Sequence, residues 1–187
     1  MINSLPSVEN TVEELLKKYK GISFGIGQNF EVEVNLSNAT FSAAGVINKN
    51  FPGLDPKQII FQLGRPYENS HASDPNFPHY PPEQNGPDDP MRFEGLSLFP
   101  SQVCIEDYLT LQLADQCRNP VEIENRINRM VSNCYHSTLY SNLRVLIPAE
   151  LMRLVKLTKI SLRGFKYFLY IEPYQGLKPE FMDVPEN

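Results

Sequence analysis

The chain has no tryptophan, three cysteines and three histidines in 187 residues, and each shortage removes something. Without tryptophan its absorbance at 280 nm is weak, and anchoring of any interface falls to Phe and Tyr. Cys104, Cys117 and Cys134 form no close-spaced pair, which excludes a disulfide framework and a cysteine-rich zinc site; they read as free thiols in a reducing compartment. No apolar run approaches a membrane span, and residues 1–21 carry an amphipathic pattern where a secretory signal would need a continuous apolar stretch. The expected location is therefore cytoplasmic or within an assembled particle, with no membrane partner. Gly25-Ile26-Gly27 lacks the third glycine of a dinucleotide loop, no Gly-Lys-Ser/Thr occurs, and Ser97 lacks the second glycine of a nucleophile elbow. No cofactor is expected.

Proline, by contrast, is abundant. There are 16, which helps to hold the hydrophobic fraction to 41% and implies much irregular backbone around one domain spanning 1–187. Seven prolines fall in residues 64–90, among Tyr67, His71, Asp74, Phe77, His79 and Tyr80. That density excludes helix and central strand, so this stretch reads as an extended loop or arm. Its aromatic and imidazole side chains Tyr67, Phe77, His79 and Tyr80 are the candidate partner contacts. His71, Asp74 and His79 offer metal-ligand chemistry, but their spacing fits no known ligand pattern, so no metal is assigned.

The formal charge of −5 hides an asymmetry. Residues 118–166 hold nine basic against three acidic side chains, a balance of +6, whereas residues 65–107 hold two basic against eight acidic, a balance of −6. Such halves pair internally or meet on neighbouring copies.

Periodicity predicts the elements. A first helix is capped by Asn10 or Thr11, buries Val12, Leu15, Leu16 and Tyr19, and ends at Gly21. Residues 30–36 alternate as a half-exposed strand, and residues 40–47 return antiparallel to it. Residues 58–63 and 91–99 read as two further strands, the latter with a bulge at Gly95. Residues 101–116 read as a helix behind the cap Ser101. The most coherent segment is 119–141: Asn119 caps, Pro120 takes the first helical position, Glu122 completes a capping box, and Ile123, Ile127, Met130, Val131, Cys134 and Thr138 form one buried stripe. A short helix opens at Pro148, residues 159–172 form a central strand broken at Gly164, and residues 173–187 leave as an extended tail. The class is α+β, a mostly antiparallel sheet against two or three helices.

Within that last strand, Arg163-Gly164-Phe165-Lys166-Tyr167-Phe168-Leu169-Tyr170 resembles the RNP1 strand of RNA-recognition motif domains, whose sheet-borne aromatics stack on bases. The resemblance covers eight residues and departs from the pattern at Lys166, where the family has Gly or Ala. It implies nucleic-acid contacts by Arg163, Phe165, Lys166 and Tyr167.

Three functions are consistent with these features. The first is a non-enzymatic structural or assembly subunit, such as a component of a virus particle, that contacts copies of itself or other subunits through extended arms. The second is a nucleic-acid-binding accessory protein using the basic segment 118–166. The third is an enzyme with residues 64–90 as a lid.

Overall fold

The computed structural model describes residues 6–27, 29–52, 54, 58–63, 95–132, 134–156, 158–173 and 180–181. In chain order they form α1 (Val8–Lys18), β1 (Asn29–Glu33), β2 (Thr40–Ser42), β3 (Ile59–Leu63), β4 (Leu96–Phe99), α2 (Gln102–Ala114), α3 (Pro120–Val131), β5 (Cys134–Ser137), β6 (Arg144–Leu146), α4 (Ala149–Leu154), β7 (Val155–Lys156), β8 (Lys159–Gly164), β9 (Leu169–Pro173) and β10 (Glu180–Phe181).

Local chemistry sets the helix ends. Ser7, not Asn10 or Thr11, caps α1: its side chain accepts from the Asn10 N–H, so the helix begins earlier than predicted and Val8 joins the buried stripe. Leu16 is exposed, because the inward face is Val8, Val12, Leu15 and Tyr19. Ser101 caps α2 as predicted, accepting from the Cys104 N–H. Asn119 caps α3 ahead of Pro120, but Glu122 turns outward to Arg126 one turn on, at 2.6 Å, instead of closing a capping box.

The predicted helix over 119–141 stops at Val131. Ile123, Ile127 and Met130 are buried as the stripe requires. Cys134 and Thr138 do not continue it, because residues 134–137 form β5 and pair with β3, Ile60 opposite His136 and Phe61 opposite Tyr135. A ladder to a preformed strand outweighs two more turns of half-exposed helix, a tertiary override of local pattern.

The main sheet is antiparallel throughout, in the order β1-β8-β9-β4-β3-β5. The predicted single strand over 159–172 is the β8–β9 hairpin, turning through residues 165–168. The RNP1-like octet therefore lies across a turn rather than along one strand. β9 sits mid-sheet, as its two apolar faces predicted. Residues 40–47 do not return along β1: they bridge it once, at Asn35 and Thr40, and then β2 pairs with β6. Arg144 holds that departure, donating from Nε and Nη2 to the Thr40 hydroxyl at 3.1 and 2.9 Å. β7 and β10 form a separate two-stranded pair, so two residues of the predicted tail come back as a strand.

Cross-strand register gives the sheet two unlike faces. Phe30, Val32, Ile160, Leu162, Ile171, Leu169, Leu96, Leu98 and Phe61 share one face and join the inward residues of α2 and α3 in a contiguous core. The opposite face carries Glu31, Glu33, Lys159, Ser161 and Arg163 towards the β1 side and buried Ile60, Gln62, Ser97 and Tyr170 in the middle. Ile60 stands outside the contiguous core.

Candidate functional site

Tyr67, Phe77, His79 and Tyr80, with His71 and Asp74, lie outside the described residues. The four octet residues are placed, and only the two charged ones are exposed. Arg163 is exposed on β8 and donates from Nε to Asn29 Oδ1 at 3.1 Å. Lys166 is exposed at the turn, its ammonium 5.6 Å from the Tyr167 ring centroid. Phe165 is half-buried and stacked on Phe168 with centroids 4.8 Å apart. Tyr167 is buried against Tyr19 and Tyr108. Phe168 and Tyr170 are buried too, so the octet presents no exposed row of rings of the kind that stacks on bases.

Beneath that turn lies a group of titratable side chains. Tyr19 donates its hydroxyl to Asp107 Oδ2 at 2.6 Å, Lys18 reaches the same oxygen at 2.8 Å, and the Cys104 thiol donates to the Tyr167 carbonyl at 3.5 Å. Burial pushes the Cys104 thiol up to about 12 and raises Tyr19 well above the usual phenol range, where its hydrogen bond to Asp107 also holds the proton; burial raises Tyr167 as well. Tyr19, Cys104 and Tyr167 keep their protons, and the cluster locks α1, α2 and the hairpin turn together. A thiol so protonated is a poor nucleophile. Cys134 is likewise pushed up to about 12 by burial.

Between the start of α1, α2 and α3 runs an open cleft of about 320 Å³, with Val8, Ile123 and Ile127 in its wall and Glu106, Asp107 and Glu124 at its rim. On the sheet's second face, register lines up Cys134, Gln62, Ser97, Tyr170, Arg163 and Asn29 in one row across six strands. The Gln62 amide oxygen, buried there, has no hydrogen-bond partner among the described residues. No group of three His, Cys, Asp or Glu side chains able to hold a metal occurs among the described residues.

The most distinctive surface is the border of the sheet at β1. Val34 donates to the Thr158 carbonyl at 2.8 Å in the register of the β1–β8 ladder, so the backbone of Phe30, Val32 and Val34 faces β8. By strand alternation the backbone of Asn29, Glu31, Glu33 and Asn35 faces outward. Asn35 exchanges both of its outward bonds with Thr40, at 2.8 and 3.3 Å. Further back, Ile26 donates to the Val46 carbonyl and Asn48 to the Phe24 carbonyl, both at 2.7 Å, so that end is paired as well.

Between the two covered ends, the outward N–H and C=O groups of Asn29, Glu31 and Glu33 have no backbone partner among the described residues. The chain that could have covered them arches over the apolar face instead: a Cβ at Gly45 would lie 3.4 Å from the Phe30 ring. Asn29, Glu31 and Glu33 are exposed, and Phe30 and Val32 half-buried.

The alternation of residues 30–36 was readable in the sequence. Its position at the border was not, because that depends on which distant strand β2 prefers. The available signal was glutamate at every second position, a common way of blunting an edge. Comparison with protein-family models and with curated proteins gives no match for this chain.

Proposed function

We propose that the chain is a non-enzymatic assembly subunit, an α+β core that contacts neighbouring subunits through extended segments. The observation that supports this is the stretch of β1 whose outward backbone groups have no backbone partner among the described residues. Unsatisfied backbone groups at a sheet edge are ready to bind another extended chain. The Pro-rich segment 64–90 fits the same reading, because prolines reduce the entropy lost on docking and Phe77 and Tyr80 supply apolar anchors.

Charge placement favours a protein neighbour over nucleic acid. Lys159 and Arg163 lie on β8 beside Glu31 and Glu33 of β1, and Lys159 sits 3.7 Å from Glu31. A phosphate backbone laid across these strands would meet carboxylates alternating with cations.

The test is light scattering after size-exclusion chromatography, with absorbance at 260 and 280 nm, on the full chain and on a variant lacking residues 66–89. A defined oligomer with a protein-like ratio, reduced in mass by the deletion, is expected. A monomer in both forms, or excess 260 nm absorbance that salt removes, would overturn the reading, the second in favour of nucleic acid.

A further inference from the structure

The open stretch of β1 also specifies what would fill it. An incoming strand bonds to the outward groups of Asn29, Glu31 and Glu33, and its side chains then fall on the two sheet faces in register with β1. Residues opposite Glu31 and Glu33 point to the face where both carboxylates stand exposed. Residues opposite Phe30 and Val32 point to the other face and extend the cover over two half-buried apolar side chains.

The protein already contains one strand that meets β1 in this way. β8 reads Lys159, Ile160, Ser161, Leu162, Arg163, with Lys159 opposite Glu33 and Ile160 opposite Val32. Ser161, opposite Glu31, is uncharged, so a second neighbour suited to the free side keeps the polar–apolar alternation of β8 with basic residues facing the two glutamates.

A second copy of β1 does not fit. Self-pairing in the register that engages all three outward residues sets Glu31 against Glu31 of the other copy, and carboxylates directly opposite each other repel. The Pro-rich segment does not suit the glutamates either, since residues 64–90 hold one basic against five acidic side chains. The window is short, because Asn35 is bonded to Thr40 at one end and Ile26 to Val46 at the other.

We infer that β1 accepts, by strand addition at Asn29, Glu31 and Glu33, a short extended segment of another polypeptide in which lysine or arginine alternates with apolar residues. This rests on the assembly reading only in taking that polypeptide to be another subunit.

The test uses the full chain and a fluorescent peptide of alternating lysine and valine, with a glutamate–valine peptide as control, read by anisotropy and by amide hydrogen exchange. The lysine peptide is expected to bind, to slow exchange of the Asn29, Glu31 and Glu33 amides, and to lose affinity as salt rises. Glu31→Pro deletes an outward N–H that has no backbone partner among the described residues, and should weaken binding about tenfold. Glu31→Lys with Glu33→Lys should transfer preference to the glutamate peptide.

Three results would overturn the inference: no binding of the lysine peptide, binding without slowed exchange at those amides, or slowed exchange there caused by self-association. Should Glu31→Pro fail to fold, exchange on the unmodified chain decides alone. The oligomer measurement is independent: an intact, arm-dependent oligomer that ignores the peptide keeps the assembly reading and loses this one.

Discussion

β1 and β5 bound the same sheet, and among the described residues the chain pairs with itself just past β5 but not along β1. Just past β5, Thr138 accepts from Leu146 at 3.0 Å, Tyr140 donates to the Arg144 carbonyl at 2.8 Å, and Leu139 bridges Val145, which links this side through β6 to β2. At β1 the outward backbone groups of Asn29, Glu31 and Glu33 have no backbone partner among the described residues, and two glutamates stand beside them. An edge completed by its own chain contributes to stability and accepts nothing more. An edge ended by charge contributes less, but selects what may approach it. Stability and recognition should thus separate by position along the border.

The largest expected effect tests the completed side. Leu139 is 1% exposed, so Leu139→Ala should leave a cavity and cost about 2–5 kcal/mol. Val32→Ala, at a half-buried position on the open edge, should cost about 1 kcal/mol or less. Urea unfolding of both variants measures the gap. Equal losses would mean that the two borders are not built differently.

Next comes the covered end of the β1 border. A Cβ at Gly164 would lie 2.1 Å from the Ile26 carbonyl oxygen, and one at Gly25 would lie 2.5 Å from the Phe165 backbone. Gly164→Ala forces these two strips of backbone apart and should cost about 1–3 kcal/mol. It should also speed exchange of the Gly25 amide, which donates to Phe165 at 2.9 Å, without changing exchange at Glu31. Faster exchange at both would show that the open stretch depends on its covered flank.

These cases also show what the sequence could convey. α2, α3 up to Val131, β3 and the alternation of β1 were legible because caps and periodicity are local signals. The end of α3 was not, because residues 134–137 fit a helical stripe as well as a strand and only pairing with β3 decides. The β8–β9 turn was hidden for a related reason. Phe165 to Tyr170 is apolar at almost every position, so alternation carries no phase there, and the turn is closed by Phe165 donating to the Phe168 carbonyl at 2.8 Å. The candidate site was half legible: its glutamates were visible, whereas its openness depends on Phe41 and Ser42 pairing with Val145 and Arg144 of β6 instead of with β1.

A smaller effect concerns the neutral cluster beneath the covered end. The Cys104 thiol rises from 9.0 to about 12 and Tyr19 shifts the same way, so above pH of about 9 the unfolded chain releases protons that the folded chain retains. Stability from these groups is fully present below that pH and falls as pH rises towards the folded values, by at most about 1.4 kcal/mol per pH unit per group. Melting temperatures from pH 8 to 11 should decline, and Cys104→Ala should flatten the decline while lowering the value at pH 8 through lost packing. An unchanged slope in that variant would assign the alkaline loss to other groups.

The smallest effect is at the open edge. Glu31 and Lys159 approach to 3.7 Å with both side chains more than one-third exposed. Water and salt screen such a pair, and holding two long side chains together offsets much of the attraction, so Glu31→Gln should change stability by less than about 0.5 kcal/mol. The same substitution removes one of the two charges that an incoming basic strand would meet, and should weaken the lysine–valine peptide several-fold, by an amount that shrinks as salt is added. Stability and binding measured on this one variant therefore give the sharpest form of the comparison. A change in binding without a change in melting places the edge on the recognition side of the border. A change in melting without a change in binding would make Glu31 a structural partner of β8.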